Sequence, residues 1–316
     1  MNFLQSLPGR RETLICLLTW AFYYIVLSMF MDIRPEHFGF SALFLLLFFA
    51  SAYTRRLAMC LIPFVLFGMS YDFMRVYPNY LVNEVDISGI YEAEKSVFGI
   101  VVDGNRMTLN EFFSIHNCSF ADFWAGIFYL CWVPAPIAFG IYCFVVGKRQ
   151  LFLRFAWAFL LINVVGFCGY YVHPASPPWF YAQNGGGEVA RELLGSQMGS
   201  EAGLARFDHL LGLSVFHDIY SKNANVFAAV PSLHSTYCLC AFIYALVGRT
   251  RWYVALPLGV IALGICWTAV YTGHHYTIDV LLGIALTFVV ILLWEKLVLH
   301  IPSVERLFQS YARYVG

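Results

Sequence analysis

The chain has 316 residues, of which 60% are hydrophobic, 18% aromatic and 12% charged, about half the charged fraction of a soluble domain. Uncharged apolar runs recur from end to end, so the sequence reads as an all-α polytopic membrane protein rather than a soluble domain. A formal net charge of +0 offers no basic face to nucleic acid, and that class of function is set aside.

In chain order, Arg10 and Arg11 precede a first run at 13–31, long enough for the roughly 20 residues a span needs. Further spans follow and no small-residue cleavage site is present, which predicts an anchor rather than a signal peptide. Runs 38–53 and 57–71 flank Thr54-Arg55-Arg56. One helix through them would place two arginines at mid-membrane depth, so a tight hairpin with both at one surface is expected. Residues 72–122 are polar, with a weakly amphipathic stretch at 90–102 that could lie on a surface.

A fourth span is expected at 123–146, kinked by Pro134 and Pro136, and a fifth at 155–172. After the polar interval 173–229 come a sixth at 230–247, a seventh at 252–271 and an eighth from within 271–279 to about Trp294. The expected organisation is N-terminal membrane helices (1–74), a polar or amphipathic outer segment (75–122), a catalytic membrane core (123–298) with an outer loop (173–229), and a cytoplasmic tail (299–316). Eight spans with a cytoplasmic N-terminus gather most of the 19 basic residues in short cytoplasmic segments: Arg10, Arg11, Arg55, Arg56, Lys148, Arg149, Arg154, Arg249, Arg251, Lys296, Arg306 and Arg313. That asymmetry sets the orientation. It brings three polar stretches, after span five, before span six and between spans seven and eight, to the non-cytoplasmic face.

The nine cysteines sit mostly inside apolar runs and form no CxxC pair. They read as small buried residues, with neither a disulfide framework nor a zinc site indicated.

The first informative stretch is Tyr271-Thr-Gly-His-His-Tyr-Thr-Ile-Asp279. On a helix, His275 and Asp279 share a face one turn apart. A carboxylate there accepts the imidazole Nδ1–H and leaves Nε2 with its lone pair, as a nucleophile or base requires. A helix-end histidine beside a capping acid has the same spacing. The second stretch, Pro231-Ser-Leu-His234-Ser-Thr, places a proline at a helix start, where free N–H groups favour an anion. It is either a phosphate cradle with a proton-transferring histidine or a capped helix start. The third, His173-Pro-Ala-Ser-Pro-Pro-Trp179, stops a helix, with Trp179 and Tyr181 suited to an interface.

Together, His-Pro-Ala-Ser-Pro-Pro-Trp, Pro-Ser-Leu-His-Ser and His-His-Tyr-x-x-x-Asp resemble the three signature blocks of the type 2 phosphatidic acid phosphatase superfamily. Gly203-Leu-Ala-Arg-Phe-Asp208, the approach Asn225–Pro231 and Ala125–Pro134 are similar to the inositol phosphorylceramide synthases, the aureobasidin-resistance family of fungi and its bacterial relatives. The resemblance implies a six-helix core with extra N-terminal helices and a catalytic triad of His275 (nucleophile), Asp279 (orienting acid) and His234 (proton donor and acceptor). It implies no metal and no cofactor. Phosphatidylinositol and ceramide or dihydroceramide are the implied substrates, and a lipid phosphate phosphatase is the alternative activity.

The phosphatases carry a lysine and an arginine where this chain has Gly166 and His173. Arg206 and Lys222 are therefore the expected phosphate-binding cations, or solvated loop charges. Asp208 is expected on inositol hydroxyls or paired with Arg206, and His274 beside the nucleophile on another face. With Ser232, Ser235 and His173, these complete the expected substrate-binding set. A proton-relay transporter would hold its titratable groups deep in the spans, whereas these stand at span ends. A bacterial inner membrane with a periplasmic active site is the expected location.

Overall fold

The computed structural model describes residues 7–196, 198–221 and 225–316. The order is α1 (Arg10–Phe30), α2 (Pro35–Ala50), α3 (Ala52–Cys60), α4 (Ile62–Phe73), α5 (Gly89–Phe98), the hairpin β1 (Ile100–Val102) and β2 (Asn105–Met107), α6 (Leu109–Ile115), α7 (Ser119–Leu130), α8 (Pro134–Val145) and α9 (Arg149–Val172). There follow α10 (Pro178–Asn184), α11 (Glu188–Glu192), α12 (Ala205–Leu211), α13 (Val215–Tyr220), α14 (His234–Val247), α15 (Trp252–Tyr271), α16 (Thr277–Lys296) and α17 (Pro302–Val315). The fold is all-α, as composition and periodicity predicted, and the hairpin is its one small sheet among the described residues.

Among the described residues, by length and composition four helices can cross a membrane alone, and six if each of two bent pairs is one span. The pairs are α3 with α4, bent by 47°, and α7 with α8, bent by 48° where Pro134 opens α8. The remaining two expected spans are the shorter apolar helices α2 and α14. Several boundaries move, and the fifth span begins at Arg149 rather than 155, so Arg149 and Arg154 lie within α9. The hairpin expected at 54–56 turns instead at Ser51, whose hydroxyl accepts from Thr54 N at 3.1 Å and caps α3. Arg55 and Arg56 therefore lie in the first turns of α3. The sixth span starts at His234 rather than 230, because Ser232 N is drawn off to the carbonyl of Asp279 at 3.0 Å. The 90–102 stretch divides into α5 and β1, and α17, on the expected tail, is an amphipathic helix whose Tyr311 hydroxyl donates to the Met59 carbonyl.

α9 is the axis. Its Phe152, Phe155, Phe159 and Ile162 are nearly inaccessible, and it packs on α4, α8, α14 and α16. Over its most apolar window 61% is buried, against 22% for α1, which lies at the periphery.

Contacts sort the connecting segments into two ends. At one, Lys148 Nζ donates to Gly248 O at 2.7 Å, Tyr314 OH to Glu12 Oε1 at 3.0 Å, and Arg154 pairs with Glu295. At the other, Asn79 Nδ2 donates to the carbonyls of Tyr170 and Phe227 at 2.9 and 2.8 Å, and Ala175 bridges in parallel to both Asp86 and Ala228. The three polar stretches converge at this second end.

Candidate active site

The site forms where α14 and α16 begin. Ser232 N donates to Asp279 O, and Ser235 Oγ donates to Ser232 O at 2.7 Å and to Val280 O at 3.4 Å, tying the two helix starts together. Gly283 allows this approach, since a Cβ there would stand 2.2 Å from Ser232 O. His234 opens α14 and His275 precedes α16. Across 41 residues of sequence, His234 Nδ1 and His275 Nε2 face each other at 3.1 Å.

Behind His275, Asp279 Oδ2 lies 3.5 Å from Nδ1 and also accepts Tyr276 N at 2.8 Å. At 3.5 Å the Nδ1–Asp279 contact is longer than a hydrogen bond, and Nδ1 has no other partner. With the His275 proton on Nδ1, Nε2 is left to accept from His234 Nδ1–H. In that tautomer the facing atoms are a lone pair and an N–H, which suits nucleophilic attack with leaving-group protonation when His234 is the imidazolium.

Outer segments hold the loop from the other side. Trp179 N donates to Gly273 O at 3.1 Å and Gly203 N to Thr272 O at 2.8 Å. Asn110 Nδ2 donates to the carbonyls of Val270 and His275, both at 2.9 Å. Aromatic rings wall the histidines: Tyr129 and Trp132 each lie 4.9 Å from the His234 ring, and Tyr220 lies 4.6 Å from His274. The cleft at His234, His274 and His275 holds about 50 Å³. Through Tyr220, Asn225, Ala228 and His234 it adjoins an aromatic cavity of about 180 Å³ that includes Tyr71, Phe167, Tyr170 and Tyr237.

A family model described as PAP2 superfamily matches residues 105–293, more than half of the chain and all three histidine-bearing stretches. The chain belongs to the PAP2 superfamily. It is 46% identical over 309 residues to the phosphoinositol dihydroceramide synthase of Bacteroides thetaiotaomicron, covering 98% of this chain and all of that one. It is 30% identical over 189 residues to the inositol phosphorylceramide synthase catalytic subunit of Schizosaccharomyces pombe, covering 56% of this chain and 42% of the relative. With the Saccharomyces cerevisiae catalytic subunit it shares 29% over 184 residues, covering 56% and 44%. No solved structure matches it. The apolar helices and the bacterial relative make this PAP2 protein an integral membrane protein.

The other expected ligand-binding residues separate into groups. Ser232 Oγ is buried without a hydrogen-bond partner, whereas Ser235 is engaged in joining α14 to α16. His274 donates or accepts at Thr272 Oγ1, 2.8 Å away, and burial pushes its imidazole down to about 3, so it stays neutral. It was expected on a different face from the nucleophile. Instead it lines the same cleft as His234 and His275.

Arg206 Nε donates to Asp122 Oδ1 at 2.6 Å and its guanidinium lies 5.1 Å from the Tyr271 ring centroid, so it is held by protein rather than turned to the histidines. Asp208 does not pair with Arg206. Its Oδ2 accepts Phe216 N at 2.8 Å and His217 N at 3.1 Å, capping α13, which satisfies N–H groups that would otherwise be orphaned. His173 is half exposed and lies 3.4 Å from Asp86 at the strand-like bridge, outside the residues lining the cleft. Lys222 lies outside the described residues. Among the described residues, the cleft lining includes no lysine or arginine.

Gly166, where the resemblance places a phosphatase lysine, has a steric reason. A Cβ there would stand 2.5 Å from Leu233 Cδ2, so only glycine lets Leu233 seat beside the His234 turn. Trp179, expected at an interface, is 7% exposed and holds the loop through its backbone.

Sequence reasoning missed Glu94. It is fully buried, and its carboxylate accepts Thr277 N and Ile278 N at 3.0 Å each. The signal was an acid on the same helical face as Ile90 and Tyr91. It also missed Asp122, which receives Arg206 and, at 2.8 Å, the Tyr271 hydroxyl.

Proposed function

We propose that this chain transfers phosphoinositol: it takes the head group of phosphatidylinositol, releases diacylglycerol and passes the phosphoinositol to the primary hydroxyl of a ceramide or dihydroceramide. The observation that carries the reading is the 3.1 Å approach of His234 Nδ1 to His275 Nε2, with Asp279 behind. It stands in a chain similar over its whole length to a phosphoinositol dihydroceramide synthase.

In this reading His275 Nε2 attacks phosphorus and the bond to the diacylglycerol oxygen breaks. His234, protonated on both ring nitrogens at this step, gives that oxygen its Nδ1 proton and is left neutral. The phosphoinositol is then held on His275, whose Nδ1–H is stabilised by Asp279. The acceptor's hydroxyl enters, loses its proton to His234, and its oxygen attacks phosphorus as the P–N bond breaks. His234 ends with the proton it began with, and two in-line displacements replace one. The aromatic cavity beside His234 supplies an apolar approach for lipid.

The cleft is assigned to the periplasmic face of a bacterial inner membrane. Basic side chains gather at the opposite end, where Arg55, Arg56, Lys148 and Arg154 lie, and this charge bias supports reading that end as the cytoplasmic one.

Purified protein in vesicles with inositol-labelled phosphatidylinositol tests the reading. Label should move to a ceramide product only when ceramide is present. Free inositol phosphate with no labelled ceramide would instead establish a phosphatase.

A further inference from the structure

α1 is fastened to the rest of the molecule near its two ends. Toward the histidine end Leu27 is fully buried, and the Tyr24 hydroxyl donates to His37 O at 3.0 Å and lies 2.7 Å from Ser41 Oγ on α2. At the basic end the Tyr314 hydroxyl of α17 donates to Glu12 Oε1 at 3.0 Å. Between these fastenings a cavity of about 390 Å³ lies among α1, α2 and α4. Cys16, Trp20 and Tyr23 wall it on α1, Phe48 on α2, and Val65 and Met69 on α4, with Glu12 and Tyr314 at its basic end.

Its dimensions restrict what enters. Positions 12 and 23 of the wall are 11 residues apart, about 16 Å along a helix, or half of a hydrocarbon layer of about 30 Å. The cavity therefore reaches from the basic-end interface to mid-membrane, the depth of one leaflet. A helix of a second chain, about 10 Å across, would displace more than about 1,200 Å³ over that length, so no helix fits. A polar solute finds little to bind, since even the Thr19 hydroxyl in the lining donates to its own helix at Ile15 O, 2.8 Å away. A slim, flexible apolar chain matches the space, and its gain is close contact with walls that otherwise lack partner atoms.

The basic end selects the head group. The Arg55 guanidinium lies 5.9 Å from the ring centroid of Phe48, a wall residue. The charges of Arg55 and Arg56 both reach the Tyr314 hydroxyl, and Arg10 and Arg11 share the first turn of α1 with Glu12. Glu12, the carboxylate of the lining, is engaged by Tyr314 and, through Oε2, by Gly9 N at 3.0 Å. Four arginines against one carboxylate leave the rim positive. Each basic side chain near the surface favours an anionic head group about fivefold.

We propose that this cavity binds one acyl chain of an anionic phospholipid from the leaflet at the basic end, with its head group on the arginine rim. The site is at the opposite end of the bundle from the histidine cleft, so its occupant is not the lipid consumed in transfer. The bound chain completes the packing between α1 and α4, whose last turn presents Tyr71 to the aromatic cavity beside His234.

The test uses the full chain in phosphatidylcholine nanodiscs containing phosphatidylglycerol with a photoactivatable diazirine midway along one acyl chain. Mass spectrometry after irradiation reads where the probe attaches. Adducts should concentrate on Trp20, Tyr23 and Met69, saturate as the probe fraction rises, and exceed those of a matching phosphatidylcholine probe at least fivefold. Leu292, exposed on α16, reports ordinary lipid contact and should show neither saturation nor preference. Thr19→Trp, at an exposed position of the lining, and Val65→Trp, on the facing wall, fill the space. Each should cut the Tyr23 and Met69 adducts at least fivefold and leave Leu292 labelling unchanged; two variants keep the test decisive if one fails to assemble. Arg55→Gln combined with Arg56→Gln should abolish the preference for phosphatidylglycerol. Cavity adducts that never saturate and track Leu292 would overturn the site. Saturable adducts with no preference between the two probes would overturn the anionic head group.

Discussion

Glu94 and Asp279 divide the amino end of α16 between them. Asp279 takes the N–H of Tyr276, and Glu94 takes those of Thr277 and Ile278. Negative charge is favoured at a helix start, and here the protein's own carboxylates occupy it, leaving those three N–H groups committed before any phosphate arrives. Glu94→Ala should cost about 1–2 kcal/mol, as loss of a helix cap does, and should lower turnover because the segment carrying His275 loses its anchor. Glu94→Gln, which keeps one acceptor, should lose less of both. Thermal unfolding in detergent checks this, and an alanine variant as stable as wild type would contradict it.

The tautomer argument separates Asp279 from a simple cap. Asp279→Asn can present an amide that mis-sets the imidazole, which should slow transfer by about 10³–10⁴-fold, as the equivalent change does in a serine-protease triad. His275→Ala should leave no covalent phosphoinositol-enzyme on rapid quench with labelled donor. A labelled adduct surviving in that variant would place the nucleophile elsewhere.

For His234 the diagnostic is the leaving group. His234→Ala should be slowest with diacylglycerol as leaving group, which needs a proton, and should recover much of its first step with an aryl phosphoinositol ester, which does not. Equal losses for both donors would remove the proton-donor role.

Gly166→Lys should not create a phosphatase. The Cβ alone meets Leu233 at 2.5 Å, and overpacking of this kind costs about 1–3 kcal/mol. Reduced thermal stability and misplaced His234 should appear together as lower activity. Adding Leu233→Ala should restore part of the stability, and no recovery in the double variant would place the defect elsewhere.

His274 predicts a pH signature in stability. Burial holds its folded-state value at about 3, against an ordinary 6.5. Between those values the unfolded chain binds more protons, so this contribution is complete above 6.5 and is lost as pH falls toward 3. Unfolding temperatures of wild type should therefore drop more steeply below pH 6.5 than those of His274→Asn. Parallel profiles would show that the imidazole titrates normally.

Much of the site was legible because its constraints are local. The i, i+4 spacing of His275 and Asp279 and the placement of His234 near a proline are visible in sequence. What was not legible depends on contacts across the fold. Arg206 and Asp208 read as ligand groups because nothing local shows that Asp122 and the start of α13 engage them. Glu94 was hidden for the same reason, since its partners lie 183 and 184 residues away. The spans were found by hydropathy alone, but their ends were set by hydrogen bonds, as when Ser51 rather than the arginines formed the turn.

α14 is only 14 residues long. At 1.5 Å per residue it rises about 21 Å, some 9 Å less than a typical hydrocarbon layer of about 30 Å. Its far terminus is moored to the basic side by Lys148 on Gly248, so the shortfall falls at the histidine. On the proposed mechanism, a donor lipid would have to sink below its neighbours, or the leaflet dimple, before its phosphorus came level with His234. Acyl-chain length in the surrounding membrane would then enter the rate, with thinner bilayers expected to favour turnover.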